Sequence, residues 1–159
     1  MRPLGAADRA PLESLLAATE AFTADEIAVA LELIDLGLTP GGGGYRFTVA
    51  EDELGVAGYA CFGATPMTDR TFDLYWIAVH PRAQGTGVGQ ALLAGVEETL
   101  RAERGRLLLI ETASKPSYAR QRAFYARAGY FEVARVRDFY CDGDDRVIFA
   151  KRLDRGGPA

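Results

Sequence analysis

Residues 75–93 read YWIAVHPRAQGTGVGQALL, and this stretch decides the fold. An apolar run typical of a strand ends at Pro81, and glycines then alternate with other residues at 85, 87 and 89. Helical spacing of apolar residues begins inside the glycine run, so the pattern predicts a strand, a tight turn and an amphipathic helix. Glycine lacks a Cβ, which allows a ligand to approach the main chain closely. Since the first amides of a helix have no internal partner, residues 85–90 are a candidate site for a diphosphate.

Two familiar phosphate-binding patterns do not fit this turn. A P-loop ends in Gly-Lys-Ser or Gly-Lys-Thr, but Gln90 follows Gly89 here, which argues against nucleoside triphosphate hydrolysis. The dinucleotide fingerprint G-x-G-x-x-G, counted from Gly85 and Gly87, needs a third glycine where Gln90 stands. A glycine-rich turn can also be a plain connection between a strand and a helix, so the anion site is a hypothesis at this point.

The rest of the chain divides into helical and strand patterns. Helical spacing of apolar residues predicts helices over residues 8–19, 24–36, 88–100 and 116–129. Apolar runs rich in β-branched and aromatic residues predict strands over residues 45–50, 56–62, 72–79, 107–110, 130–140 and 146–153. This order predicts an α/β (α+β) fold, with a mixed sheet covered by helices, in a single domain over residues 1–159.

Local signals mark where some of these elements begin or end. Thr23 is an expected N-cap, and Glu26 three residues later completes a capping-box pattern. Gly37 is an expected C-terminal stop of the same helix. Ser114 is an expected cap of the last helix, with Pro116 in its first turn.

The composition excludes several classes of protein. The chain has 159 residues, of which 48% are hydrophobic and 25% charged, as in an ordinary globular domain. It has no apolar run of 18 residues and no apolar signal core at its start, so neither a membrane nor a secretory pathway is expected. Two cysteines and one histidine are too few for a disulfide scaffold or for most metal sites. We therefore expect a cytoplasmic protein without a metal.

Charge is distributed unevenly along the chain. The formal net charge is −4, which argues against general binding of nucleic acid. Residues 1–79 carry 4 basic and 12 acidic side chains, whereas residues 80–130 carry 8 basic and 4 acidic ones. Such an arrangement suits an anionic cofactor and a cationic acceptor, although chance composition of a solvated surface explains it equally well.

Two motifs resemble signatures of the GNAT N-acetyltransferase superfamily. QGTGVG at residues 84–89 matches its pattern Q/R-x-x-G-x-G/A, and FYARAGY at residues 124–130 looks like its FY-x-x-x-GF ending. The resemblance implies a mostly antiparallel central sheet flanked by helices, with splayed strands forming an acetyl-CoA cleft. It also implies an acyltransferase that moves an acetyl group from acetyl-CoA to a primary amine of a small molecule or peptide, by direct attack on the thioester. The alternative is a non-catalytic CoA-binding regulatory module with the same fold.

The resemblance assigns residues to the cofactor. Main-chain groups of Ile77, Ala78 and Val79 are expected to meet the pantetheine arm. The pyrophosphate is expected on Gln84, Gly85, Thr86, Gly87, Val88, Gly89 and Gln90. Tyr118 stands near the position where the family often has an asparagine that contacts the arm, and it departs from that pattern. Arg82 or Arg120 is a candidate ligand of the 3′-phosphate.

The resemblance also suggests which groups carry out the reaction. Tyr125 occupies the position of the family's general-acid tyrosine, and Tyr118 is expected on the same helix face because it lies seven residues earlier. A carboxylate on a strand is expected to take the proton of the amine. Glu111 ranks first, because burial in an apolar strand would favour its neutral form, and Asp73 ranks second. His80 is expected to have a structural role. A homodimer formed through residues 130–153 is possible.

Overall fold

The computed structural model describes residues 1–154 of the chain. Within that range the α-helices are α1 (Arg9–Ala18), α2 (Ala24–Gly37), α3 (Val88–Ala102) and α4 (Ala119–Arg127). The strands are β1 (Tyr45–Asp52), β2 (Gly55–Ala64), β3 (Thr71–Val79), β4 (Leu107–Ala113), β5 (Phe131–Cys141) and β6 (Asp144–Arg152). Short 3-10 turns lie at Ala6–Asp8, Gly42–Gly44, Pro81–Ala83 and Pro116–Tyr118.

The six strands form one sheet in the order β1-β2-β3-β4-β6-β5. The β1–β2, β4–β6 and β5–β6 pairs are antiparallel. The β3–β4 pair is parallel, and its pairing joins Thr71–Leu74 to Leu107–Ile110. Both strands continue beyond those residues, to Val79 and Ala113. The predicted mixed, mostly antiparallel sheet flanked by helices is confirmed.

The chain divides into two compact units and passes between them three times: after Ala64, inside β3 and inside α3. The first unit contains Met1–Ala64 and Tyr75–Thr99, and thus α1, α2, β1, β2, the end of β3 and most of α3. Its core gathers apolar side chains of the first two helices and of the strands: Leu12, Leu15, Leu16, Ile34, Val49 and Tyr59. Near the start of the chain, the amide of Arg2 donates to the carbonyl of Val49 at 3.0 Å, which ties the N-terminal residues to β1.

The second unit contains Thr65–Leu74 and the chain from Leu100 onward. It holds the start of β3 together with β4, α4, β5 and β6. Its buried side chains come from two strands and from α4 and its end: Leu108, Ile110, Tyr125, Tyr130, Val147 and Phe149. Burying such residues removes apolar surface from water, which provides most of the free energy that stabilises a fold.

The helix boundaries test the local signals. The capping box is confirmed: Thr23 Oγ1 accepts a hydrogen bond from the amide of Glu26 at 3.2 Å, and Glu26 Oε2 accepts one from the amide of Thr23 at 2.7 Å. Helix α2 does end at Gly37, as expected, but the glycine is not a left-handed cap, because its φ is not positive and Leu38 is the C-cap. A Cβ at Gly37 would come within 2.7 Å of Cδ2 of Phe47, so glycine is needed there for close packing.

The start of the last helix also differs from its prediction. Ser114 does not cap it; its Oγ instead accepts a hydrogen bond from the amide of Asp145 at 2.7 Å. The segment begins with the 3-10 turn Pro116–Tyr118, and α4 proper starts at Ala119. Tyr118 is therefore the N-cap of α4 rather than a residue within it, so the expectation that it shares a helix face with Tyr125 loses its basis.

Candidate functional site

The glycine turn lies in the first unit, between the end of β3 and the start of α3. Gly85 has φ +81° and Gly87 has φ +95°, a left-handed conformation that favours glycine. A Cβ placed on either glycine would meet no atom within 4 Å. The sequence therefore needs glycine here for the backbone conformation, and the space beside the turn is open to a ligand.

The start of α3 has unpaired hydrogen-bond donors. The first helical hydrogen bond of α3 runs from the amide of Ala91 to the carbonyl of Gly87 at 2.9 Å. Within residues 1–154, the amides of Gly87, Val88, Gly89 and Gln90 have no hydrogen-bond acceptor. Four adjacent free donors at the positive end of a 15-residue helix are a candidate site for an anion.

Packing against β2 fixes the position of this helix start. A Cβ at Gly58 would lie 2.8 Å from the carbonyl oxygen of Ala78 and 3.0 Å from Cδ1 of Leu92. Glycine at this point of β2 thus lets β3 and α3 approach closely. Ala78 is buried, whereas Ile77 and Val79 are half-buried. The start of α3 therefore packs closely against β2 and β3.

Side chains around the turn have structural partners. His80 caps the 3-10 turn, and its Nδ1 accepts a hydrogen bond from the amide of Arg82 at 3.3 Å. Gln84 Nε2 donates to the carbonyl of Val79 at 3.3 Å. The Arg82 guanidinium forms an ion pair with Asp52 and donates to the carbonyl of Val56 at 2.9 Å. Arg82 is thus held against the β1–β2 hairpin, which disfavours its expected role as a phosphate ligand.

Tyr125 lies in the second unit, in an aromatic cluster of α4 and β6. Its ring centroid is 6.0 Å from that of Phe149 and 6.4 Å from that of Tyr130. The residue is only 6% exposed. Burial raises the pKa of the Tyr125 phenol, so the hydroxyl is protonated at neutral pH and is able to donate a proton.

The burial predicted for Glu111 is wrong. Its side chain is 41% exposed, although Ile110 and Thr112 on either side are buried. Side chains alternate between the two faces of a strand, so the burial of its neighbours does not extend to Glu111. Its carboxylate forms an ion pair with Arg146 and accepts a hydrogen bond from the hydroxyl of Tyr140 at 3.0 Å.

A bulge in β5 brings Tyr140 to this carboxylate. The β5–β6 register passes from Val136 opposite Arg146 to Cys141 opposite Asp144, which leaves extra residues on β5. Asp138 within the bulge has φ +51°. Burial, followed by the charge of Glu111, raises the pKa of Tyr140 to about 12, so its hydroxyl is a donor at neutral pH. Bulges commonly redirect side chains next to functional sites.

The other candidates of the second unit have separate surroundings. Asp73 is half-buried on β3, and its Oδ2 accepts a hydrogen bond from Thr65 Oγ1 at 2.6 Å. The ring of Tyr118 lies 4.9 Å from Nζ of Lys115, a cation–π contact. Sequence reasoning missed Tyr140 and Arg146, because no local pattern links them to β4.

Neither a metal centre nor a membrane span is found in residues 1–154. That part of the chain contains no group of three or more His, Cys, Asp or Glu side chains arranged to hold a metal ion. Nor does it contain a helix that is both long enough and apolar enough to span a bilayer.

Comparisons with known proteins extend the resemblance. A family model described as an acetyltransferase (GNAT) domain matches residues 43–132. A solved structure from Desulfovibrio desulfuricans, assigned to the GNAT family of acetyltransferases, is 42% identical; the match covers 96% of this chain and 97% of that one, with a TM-score of 0.92. A search of the curated proteins finds no match.

More distant solved structures share the fold. The ribosomal-protein-S18-alanine N-acetyltransferase from Escherichia coli is 21% identical; the match covers 98% of this chain and 94% of that one, with a TM-score of 0.76. A protein from Salmonella typhimurium, solved with its cofactor acetyl-CoA, is 22% identical; here the match covers 99% and 95%, with a TM-score of 0.74.

The family model covers more than half of the chain, and the Desulfovibrio structure matches nearly all of it. The predicted enzyme class, an N-acetyltransferase, is confirmed at the level of the family. The chain belongs to the GNAT family of acetyltransferases.

Proposed function

We propose that the protein transfers an acetyl group from acetyl-CoA to a primary amine of a small molecule or peptide. The observation that carries this proposal is the row of unpaired amides at Gly87–Gln90, beside open space at two left-handed glycines. These donors suit a diphosphate, which is an anionic group of the coenzyme. The acetyl-CoA in the Salmonella relative supports the same donor here. The family match includes parts of both units, which supports one acetyltransferase domain over residues 1–159.

Two segments of the first unit have a defined task in this proposal. The segment Gln84–Gln90 holds the diphosphate through main-chain amides. Main-chain groups of Ile77, Ala78 and Val79 hold the pantetheine arm, and a fixed amide there would stabilise the carbonyl oxygen as charge develops on it. The bound coenzyme supplies a thioester, which is an activated acyl donor.

The second unit supplies the proton transfers. Tyr125 donates a proton to the departing thiolate, and its buried, protonated phenol suits that role. Glu111 is our first candidate for taking the proton of the attacking amine, because it directly follows the last residue of β4 that pairs with β3 and its carboxylate is accessible. Asp73 is the second candidate, and Tyr118 is a candidate contact of the cofactor arm.

Release of free thiol from acetyl-CoA tests the proposal against a panel of amines. The panel should emphasise cationic amines, because residues 1–79 are strongly acidic. Tyr125→Phe should lower kcat by roughly 10²-fold or more with little change in the KM for acetyl-CoA. Tyr130→Phe, a buried change in the same aromatic cluster, is the matched control and should retain kcat. Thiol release at background level for every amine, with CoA still bound, would favour the non-catalytic module.

We also propose that two copies of the chain associate through β5. It is the last strand in the sheet order, and all eleven of its residues are exposed. Five large apolar side chains of β5 are 46% to 59% exposed: Phe131, Val133, Val136, Phe139 and Tyr140. An unpaired strand edge with an apolar surface is a typical protein interface, and a second copy presents the same complementary edge.

Sedimentation velocity tests this association. The double variant Val133→Lys, Val136→Lys should sediment as a monomer at concentrations where the native protein is a dimer. Leu54→Lys is the matched control, because Leu54 is 79% exposed in the β1–β2 turn. A native protein that sediments as a monomer at micromolar concentrations would contradict the proposal.

A further inference from the structure

The segment that carries Tyr125 is held at its beginning by a buried carboxylate from β6. Asp144 is only 6% exposed, and its Oδ1 accepts hydrogen bonds from the amides of Ser114 and Lys115, both at 2.9 Å. These amides directly precede the 3-10 turn Pro116–Tyr118. Burying a carboxylate is costly unless its hydrogen bonds are made, so the two amides account for its position.

The end of the same segment is held by a cation from β6. Lys151 Nζ donates a hydrogen bond to the carbonyl of Ala128, the C-cap of α4, at 2.9 Å. It also lies 5.3 Å from the centre of the Tyr130 ring. A negative charge at the start of a helical segment and a positive charge at its end both agree with the helix dipole.

The spacing of the two charges matches the segment that they hold. Asp144 and Lys151 are seven residues apart on β6, which corresponds to about 23 Å along a strand. From Lys115 to Ala128 the chain forms one 3-10 turn and then α4, which together span about 21 Å. The ring of Phe149, two residues before Lys151, packs against Tyr125, so Lys151 lies on the side of β6 that faces the helix. Asp144 is the first residue of β6 and, by the same alternation, belongs to the other side; its carboxylate reaches the amides of Ser114 and Lys115, which directly follow β4.

A side chain of α4 itself also binds the residues at the beginning of the segment. Arg122 Nη1, on α4, donates to the carbonyls of Ala113 at 2.6 Å and Lys115 at 3.1 Å. The turn before α4 is therefore bound by β6 on its amides and by α4 on its carbonyls. Tyr125 lies three residues before Ala128, so a shift at either end of the segment would move its hydroxyl.

We propose that Asp144 and Lys151 are positioning residues, which hold both ends of this segment and so set the place of the Tyr125 hydroxyl. The proposal rests on the proposed function for its link to catalysis, because it takes Tyr125 as the proton donor. A displacement of about 1 Å can cost 10²-fold in rate. We therefore expect losses in kcat from residues that touch neither substrate nor coenzyme.

Amide hydrogen exchange tests the structural part, whether or not an acceptor amine is known. In Asp144→Ala, exchange at Lys115 should be at least tenfold faster than in the native protein. Exchange at Ser114 should change less, because its amide also donates to the carbonyl of Asp145 at 2.9 Å. Asp144→Asn retains an oxygen acceptor and should restore most of the protection. Asp142→Ala, in the exposed turn of the same hairpin, is the control and should leave exchange unchanged. Native exchange rates in Asp144→Ala would overturn the proposal.

A double-mutant cycle tests the link to catalysis. Asp144→Ala and Lys151→Met should each lower kcat at least tenfold, and Lys151→Arg should retain most of it. In a Tyr125→Phe background the same changes should lower kcat less than twofold, because the group that they position is gone. Equal losses in both backgrounds would overturn the positioning role.

If the native protein releases no thiol with any amine, the proposed function fails while the exchange result still decides whether β6 holds the segment. Should Asp144→Ala fail to fold, Lys151→Met replaces it in the cycle, and faster amide exchange in the last turn of α4, whose C-cap carbonyl Lys151 binds, replaces the readout at Lys115.

Discussion

Replacing Gly87 by alanine should weaken the binding of CoA far more than it destabilises the fold. Gly87 has φ +95°, and an alanine in a left-handed conformation costs about 1–2 kcal/mol. A Cβ at this position meets no atom within 4 Å, so no clash adds to that cost. Since domains are typically stable by about 5–15 kcal/mol, Gly87→Ala should remain folded.

The loss of binding follows from the amides at the start of α3. The new methyl group would occupy the open space beside them, where we place the diphosphate, or the loop would relax and turn the amides away. A hydrogen bond to a charged group contributes about 1.5–3 kcal/mol. Losing one such bond raises the Kd for CoA by roughly 10- to 150-fold at 25 °C.

Titration calorimetry with CoA and with pantetheine measures this effect. Pantetheine lacks the diphosphate, so its affinity should be the same for Gly87→Ala and the native protein. Gly143→Ala, in the β5–β6 turn, is the matched control, because Gly143 has φ +79° and a Cβ placed on it would likewise meet no atom within 4 Å. It should lose similar stability and retain CoA affinity. A Kd for CoA within twofold of native in Gly87→Ala, or an equal loss for pantetheine, would refute the assignment of the glycine turn.

Two further predictions concern stability. The hydrogen bond from Arg2 holds the pKa of the Asp8 carboxyl below its usual value of 3.8. The Arg2–Asp8 ion pair therefore stabilises the fold above pH 3.8, and this contribution is lost as the pH falls through the lowered pKa. Asp8→Asn should therefore lower the free energy of unfolding in urea by about 1–3 kcal/mol at pH 7, with native protein and variant converging in acid; a constant difference would contradict this. Gly58→Ala should lower the same quantity by about 1–3 kcal/mol, because its Cβ would press on the carbonyl of Ala78. Gly95→Ala, in α3, should not lower the free energy of unfolding, since its Cβ meets only the flexible side chain of Met1. Equal losses for Gly58→Ala and Gly95→Ala would be evidence against the packing explanation.

Features set by neighbouring residues could be predicted from the sequence. The turn at residues 84–89 and the capping box at Thr23 and Glu26 depend on backbone conformation and on hydrogen bonds over three or four residues. The order of predicted helices and strands likewise predicts a mixed sheet flanked by helices. In each case the relevant physics lies within short segments.

Features set by distant residues could not be predicted in this way. The surroundings of Glu111 come from Tyr140 and Arg146, which lie 29 and 35 positions later and reach it through a bulge and a strand pairing. The need for glycine at position 37 comes from Phe47 on β1 rather than from a helix stop. A periodic pattern states which residues are apolar but not which polar groups meet across strands.

This contrast separates the two halves of the proposed reaction. Binding of the diphosphate depends on main-chain donors that a short motif creates, so it should tolerate many changes elsewhere in the chain. In our proposal the place of the acid depends on Asp144 and Lys151, neither of which belongs to a motif. Arg82, two residues before the motif, makes the same point, since a carboxylate at the end of β1, Asp52, determines what its guanidinium binds. Chains that share the glycine turn can therefore differ in how they place the proton donor, and β6 is the element in which we expect those differences to arise.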